Sequence, residues 1–149
     1  MTVQKINLGA VFRGGALAAI TFVIVEFVLE GAVGLLGLNE ADLFRDAFPN
    51  IVLGGTAYHA WNIVHLFLVF FLAIWVYAAI RPRFGPGPKS ALITSFILWF
   101  LYFSFVMNFA RLGIFPLNLA IVSLAFNFVE IPAAILAGAK VYSEPAASE

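Results

Sequence analysis

Four long apolar stretches constrain the fold of this chain more than any other feature of its sequence. They run from about residue 10 to 36, 57 to 80, 90 to 112 and 116 to 139. A helix needs about 20 predominantly apolar residues to cross the hydrocarbon core of a bilayer, and each stretch reaches that length. The sequence therefore predicts an all-α fold, an integral membrane four-helix bundle with no soluble domain.

Composition supports this prediction and excludes several kinds of site. Of the 149 residues, 63% are hydrophobic and 11% are charged, whereas a soluble domain is about half apolar and a quarter charged. The chain has no cysteine, which excludes disulfides, thiolate metal sites and thiol nucleophiles. A formal net charge of zero argues against nucleic acid as a partner. The lipid bilayer is the partner that the composition predicts.

The cations predict how the bundle is oriented. If the spans alternate in direction, most Lys and Arg residues fall on one side, and the loop between the first two spans is acidic. Because cytoplasmic loops carry an excess of Lys and Arg, both termini are predicted to be cytoplasmic (N-in, C-in). Arg45 and Arg111 are the exceptions, and the cations that share one side are Lys5, Arg13, Arg81, Arg83, Lys89 and Lys140.

The segments outside the spans differ in character. Residues 40–48 are predicted to form a short interfacial helix, capped by Asn39 with Asp42 three residues later. Residues 81–89 combine three cations with three prolines, so we expect a basic hairpin through which no helix can run. Its cations, Arg81, Arg83 and Lys89, are candidates for binding anionic lipid. The tail, residues 143–149, is predicted to be disordered.

Three of the four spans carry a polar stripe with the same spacing. In each, Asn follows a polar residue by four positions and an ionisable residue follows three later, which places all three on one helix face. An ionisable side chain deep in a bilayer costs about 2.5–3.5 kcal/mol, so we expect the stripes to face one another. The stripes are Tyr58/Asn62/His65, Ser104/Asn108/Arg111 and Ser123/Asn127/Glu130, and the first span carries Glu26 and Glu30.

Four ionisable residues are candidates for binding a ligand or a proton: Glu26, Glu30, His65 and Glu130. A histidine beside a carboxylate at a helix interface is the usual composition of a proton relay, so we expect His65 to meet Glu30 or Glu26. At 1.5 Å per residue most of these groups lie toward the side opposite the termini, which predicts a site that opens outward. The supporting polar residues are Asn62, Ser104, Asn108, Arg111, Ser123 and Asn127.

Glu130 carries the most specific expectation. Pro132 has no N–H, so the Phe128 carbonyl lacks its usual helical donor. We expect a kink near Pro132 and a protonated, inward-facing Glu130 carboxyl that donates a hydrogen bond to this carbonyl or to Thr21.

Other chemistries find little support in the sequence. The Glu-x-x-His motif of a bundle di-metal site is absent, and His59 and His65 share one helix, so they cannot clamp a haem from both faces. No nucleotide motif or nucleophile elbow occurs. We therefore predict no metal and no cofactor, and the sequence favours a protein without enzymatic activity over an enzyme. Small residues instead indicate close helix packing, within one bundle or between protomers of a homo-oligomer or larger complex, at Ala10/Gly14/Ala18 and Ala134/Gly138.

Two segments of the second half resemble small bacterial four-span inner-membrane proteins of unknown function. They are residues 76–92, VYAAIRPRFGPGPKSAL, and residues 128–142, FVEIPAAILAGAKVY. The resemblance implies a multi-pass protein of the bacterial inner (plasma) membrane. It transfers no catalytic residue.

Three functions remain open at this point. The first is an outward-facing intramembrane polar site that binds or moves a proton, a cation or a small amphipathic ligand. The second is a structural or accessory membrane subunit whose polar stripes only fix helix packing. The third, a membrane enzyme acting on a lipid or quinone, lacks a recognisable nucleophile or cofactor motif.

Overall fold

The fold is all-helical throughout the residues that the computed structural model describes, 6–36, 38–51 and 54–143. Four of the helices are long and apolar enough to cross a membrane. The predicted disordered tail lies outside the described residues, apart from Ser143. The helices are α1 (Leu8–Gly34), α2 (Glu40–Ala47), α3 (Thr56–Phe84), α4 (Pro88–Arg111) and α5 (Leu117–Val141).

The hairpin between α3 and α4 is shorter than the sequence predicted. The expectation that no helix runs through residues 81–89 is confirmed, but the non-helical part is shorter, because α3 continues to Phe84 and α4 begins at Pro88. Pro82 lies in the last turn of α3, and Pro88 occupies the first turn of α4, where its missing N–H needs no helical partner. Gly85 ends α3 with a φ of +86°, a conformation that glycine adopts readily. Only three residues therefore join the two helices.

The four long helices run alternately up and down and form a ring in the order α1, α3, α4, α5. The short helix α2 packs on α5. At one end of the bundle the α3–α4 hairpin lies beside both ends of the described chain, near Asn7 and Ser143, and we call this the hairpin end. At the other end lie α2 and the turn between α4 and α5, and we call this the α2 end.

The half of the bundle toward the hairpin end is packed around small residues. A Cβ atom added at Gly138 would lie 2.5 Å from the Gly14 carbonyl oxygen, and one added at Gly15 would lie 2.9 Å from the Phe71 Cα. These backbones touch because glycine has no side chain. The predicted small-residue faces are thus confirmed as contacts within one bundle, between α1 and α5.

Aromatic and polar contacts close the hairpin end. The Tyr77 hydroxyl accepts a hydrogen bond from the Gly87 N–H at 3.2 Å. The Arg81 guanidinium carbon lies 5.7 Å from the Tyr77 ring centre and 5.0 Å from that of Tyr142, distances at which cation–π attraction operates. Asn7 caps α1 and also donates to the Ser143 carbonyl at 3.2 Å. The hairpin and both ends of the described chain are therefore held together.

The half toward the α2 end is more open. The buried residues of α1 stop at Ala19, and those of α3 begin only at Phe70. Between α4 and α5 a second small core remains around Val106, Ala120 and Leu124. Residues 56–65 of α3 are consequently all exposed, and grooves open on the flanks of the helix.

Candidate functional site

Four glutamate side chains come together in the half of the bundle toward the α2 end. Glu26 and Glu30 belong to α1, Glu40 to α2 and Glu130 to α5. The charges of Glu26, Glu30 and Glu40 all act on the Glu130 carboxyl, and we call these four residues the carboxylate cluster. None of the four forms an ion pair with a Lys, Arg or His side chain in the part of the chain that the structure describes.

Glu40 reaches the cluster because α2 begins immediately beside the bundle. The Asn39 side chain accepts a hydrogen bond from the Asp42 N–H at 3.0 Å, which confirms the predicted helix cap. Glu40 is the first residue of α2, and the helix is held on the bundle by the rings of Phe48 and Phe115, whose centres are 6.0 Å apart. A cap at this position fixes where the helix starts, and therefore fixes the direction of Glu40.

The surroundings of Glu40 disfavour its ionised form. Burial raises the pKa of the Glu40 carboxyl above its ordinary value, and the negative charges of Glu30 and Glu26 raise it further. The nearby Ser123 hydroxyl acts in the opposite direction, because a hydroxyl dipole beside the carboxylate favours its ionised form. Desolvation is the largest of these effects, as expected for a carboxyl that a helix carries into an apolar bundle.

Glu130 is the most enclosed member of the cluster. Its side chain is 2% exposed, and its Oε1 atom has no hydrogen-bond partner. Glu30 is half-buried, and its Oε2 atom likewise lacks a partner. A buried polar atom without a partner costs about 1–3 kcal/mol. The cluster therefore contains two carboxyl oxygen atoms that could still accept a hydrogen bond, a proton or a cation.

A tyrosine and a serine connect the cluster to α4. The Tyr102 hydroxyl hydrogen bonds to the Ser123 hydroxyl, and the charges of Glu40 and Glu130 act on Tyr102. Ser123 is 1% exposed. The exchangeable protons of Tyr102 and Ser123 thus lie between α4 and the carboxylate cluster.

The structure brings together three of the four predicted binding residues. Glu26, Glu30 and Glu130 belong to the cluster, and Glu130 faces inward as predicted. Its expected hydrogen bond to the Phe128 carbonyl or to Thr21 is not formed, since the Glu130 side chain makes no hydrogen bond within the described residues. The helix α5 continues through Pro132 to Val141.

His65 is not part of the cluster. It is exposed on α3 and stacks on Trp61, with 6.1 Å between the ring centres. Neither a hydrogen bond nor an ion pair joins it to Glu26 or Glu30 in the described part of the chain. The expected histidine–carboxylate pair is therefore absent, because His65 lies against Trp61 and beside the groove that α4 lines.

The expectation that the polar stripes face one another holds only for α5. The α3 stripe, with Asn62, is exposed, and so is the α4 stripe. In the latter the Ser104 hydroxyl donates to the Phe100 carbonyl and Arg111 donates to Asn108 Oδ1, so these polar groups are satisfied within their own helix. On α5, Ser123 and Glu130 are buried and Asn127 is half-buried, with its Nδ2 donating to the Ser123 carbonyl at 3.0 Å.

Sequence reasoning missed Glu40 and Tyr102. Glu40 stood in an acidic loop, where a carboxylate is ordinarily solvated, and Tyr102 lay on α4 two residues before the Ser104 stripe. One signal was available for Glu40. The Asn39 cap placed it in the first turn of a helix too short to be stable without packing on the bundle.

No group of three or more His, Cys, Asp or Glu side chains in the described ranges has the geometry to hold a metal ion. Comparison with protein-family models, curated proteins and solved structures gives no match for this chain.

Proposed function

We propose that the protein is a multi-pass membrane protein that binds and releases protons at the carboxylate cluster. One observation carries this proposal. Four carboxyl groups from three helices share one region without an ion-pair partner among the described residues, and the most enclosed of them, Glu130, has an unpartnered oxygen atom.

The reasoning rests on the energetics of like charges. Carboxylates that share a poorly solvated site cannot all be ionised at once, because each disfavours the charged form of its neighbours. Such a group must hold protons or a bound cation. The graded exposure of the cluster provides a path, since Glu26 is exposed, Glu30 and Glu40 are half-buried, and Glu130 is buried.

The side to which the cluster opens follows from the proposed orientation. With both termini cytoplasmic, in a bacterial inner membrane, the α2 end faces outward, and Glu30 and Glu40 are the members of the cluster that lie nearest to it. A reporter active only in the cytoplasm, fused to the C-terminus, should give strong activity. Activity only from a periplasmic reporter at that position would reverse the orientation.

Infrared spectroscopy tests proton binding directly. In protein reconstituted into lipid, the band of protonated carboxyl groups should persist at neutral pH and decrease as the pH is raised. Glu130→Gln should remove a large part of this band. Asp46→Asn is the matched control, because Asp46 is an exposed carboxyl on α2 outside the cluster, and it should leave the band unchanged. Full ionisation of the wild-type protein at neutral pH would overturn the proposal.

Two hydrogen bonds favour the alternative function, a structural or accessory subunit. The Trp99 Nε1–H donates to the Leu124 carbonyl at 3.1 Å, and Tyr102 bonds to Ser123, so both fix the register of α4 on α5. If packing were the only role, Glu130→Gln would change thermal stability and leave the pH dependence of the carboxyl band intact. The same variant therefore separates the two functions.

Further partners remain part of the proposal. Anionic lipid headgroups would bind the hairpin end, where Arg83 and Lys89 are exposed and Arg81 lies between two tyrosine rings. The exposed polar stripes of α3 and α4 favour a homo-oligomer or a larger membrane complex, because polar side chains in a membrane span are stabilised by a protein neighbour.

A further inference from the structure

A groove of about 550 Å³ opens between α3 and α4 in the half toward the α2 end. It exists because these helices separate beyond the packed half of the bundle. Phe70, the first buried residue of α3, lines its inner side, while Leu101 and Phe105 on α4 are 55% and 66% exposed. The groove therefore opens sideways, toward the lipid, and its volume lies within the usual range for small-molecule sites.

The lining of the groove is apolar with a few polar groups. Phenylalanine and leucine side chains form most of the wall, and the polar groups come from His65, Tyr102 and Asn127. Because the Asn127 Nδ2 already donates to the Ser123 carbonyl, its carbonyl oxygen is the acceptor that remains for a ligand. A ligand for this groove needs a large apolar body and one polar or charged group.

Tyr102 joins the groove to the carboxylate cluster. Its ring lines the groove, while its hydroxyl hydrogen bonds to Ser123 and is close enough to Glu40 and Glu130 for their charges to act on it. The cluster contains four carboxyl groups and no ion-pair partner among the described residues. The carboxyl groups of the cluster that remain ionised make the electrostatic potential at the inner wall of the groove negative, and aromatic rings line the same wall.

We propose that the groove binds a lipophilic organic cation, with its apolar body among the phenylalanine rings and its positive charge directed toward Tyr102 and the carboxylate cluster. The proposal rests on the proposed function, because the negative charge is that of the proton-binding carboxyl groups. Charge complementarity selects this ligand over a neutral lipid chain, and the aromatic wall adds cation–π attraction.

The test is binding of tetraphenylphosphonium to the full-length protein in detergent or lipid, measured by calorimetry at neutral pH. Tetraphenylborate, of similar size and opposite charge, is the matched ligand. The phosphonium should bind and the borate should not. Leu101→Trp, which fills the mouth of the groove, should weaken phosphonium binding about tenfold, equivalent to about 1.4 kcal/mol.

Ile97→Trp is the matched control variant. Ile97 lies one turn before Leu101, is 44% exposed and does not line the groove, so this variant should bind the phosphonium as the wild type does. Equal binding of phosphonium and borate, or equal binding by Leu101→Trp and Ile97→Trp, would overturn the groove as a cation site.

The infrared carboxyl band of the same samples keeps the two proposals separable. Leu101→Trp should weaken phosphonium binding and retain the protonated-carboxyl band, a result that supports both proposals. A normal band in a wild-type protein that does not bind the phosphonium overturns the groove proposal alone. A wild-type protein without the band has ionised carboxyl groups, which contradicts the proposed proton binding alone, and phosphonium binding by it would still support the groove as a cation site.

Discussion

The two halves of the bundle are built on different principles. Toward the hairpin end, glycine and alanine bring backbones into contact, and a three-residue connection holds α3 against α4. Toward the α2 end, α1 and α3 have no fully buried side chains beyond Ala19 and before Phe70, and the glutamates gather there. Close packing and unpartnered carboxyl groups thus lie in different halves. Because the half toward the hairpin end holds the helices together, the half toward the α2 end can carry polar groups.

The largest expected effect lies in the packed half. Gly138→Ala places a Cβ atom 2.5 Å from the Gly14 carbonyl oxygen, so α1 and α5 must separate. Overpacking of this kind costs about 1–3 kcal/mol, and the melting temperature in detergent should fall by several degrees. Gly31→Ala is the control, because nothing lies within 4 Å of its Cβ position in the open half. Equal melting temperatures for the two variants would contradict the contrast between the halves.

A smaller effect is expected at the closed end of the packed half. Arg81→Gln removes the guanidinium from between the rings of Tyr77 and Tyr142. The loss should be about 1 kcal/mol in unfolding free energy. Arg83→Gln, in the same helical turn and exposed, should change stability much less. Chemical denaturation in mixed micelles measures the unfolding free energy of both variants. An equal effect at the two positions would argue against a stabilising contact between Arg81 and the two tyrosine rings.

In the open half, single polar contacts should matter less. Tyr102→Phe removes the hydroxyl that bonds to Ser123, and hydrogen bonds between membrane helices average about 0.6 kcal/mol. Tyr58→Phe is the comparison, since Tyr58 is exposed at the start of α3. Thermal unfolding of both variants should show a small decrease for Tyr102→Phe only. A decrease as large as that of Gly138→Ala would mean that the open half also depends on tight packing.

The subtlest effect is a change in pH dependence at Glu40. Because its pKa is raised in the folded protein, the folded state holds this proton more tightly than the unfolded state. The resulting stability is present below the ordinary pKa of 4.5 and is lost as the pH rises through the raised value. Glu40→Gln should therefore show a flatter decline in stability above about pH 4.5.

Melting temperatures measured across pH check this prediction. Asp46→Asn, on the same helix and exposed, should keep the wild-type slope. A Glu40→Gln variant with the wild-type slope would show that Glu40 does not titrate differently in the folded protein.

The sequence predicted the number of long helices and the residues on their polar faces, but not how the helices are rotated. Apolar composition sets the length of a span, and the helical period places Glu26, Glu30 and Glu130 on defined faces. A helix that is apolar all round has no preferred face, so nothing local indicated that the stripe containing His65 would point outward. Glu40 joined the cluster through the docking of α2 on α5, a contact between distant parts of the chain that no local pattern encodes.

The connection of residues 85–87 has a mechanical consequence for the far end of the molecule. With so short a link, α3 and α4 can separate only by pivoting about the hairpin, like the arms of tweezers. Over the length of α4, 24 residues or about 36 Å, an added angle of about 10° moves the opposite tip by roughly 6 Å. A small change of angle at residues 85–87 would therefore decide how large a molecule can enter between the far ends of α3 and α4.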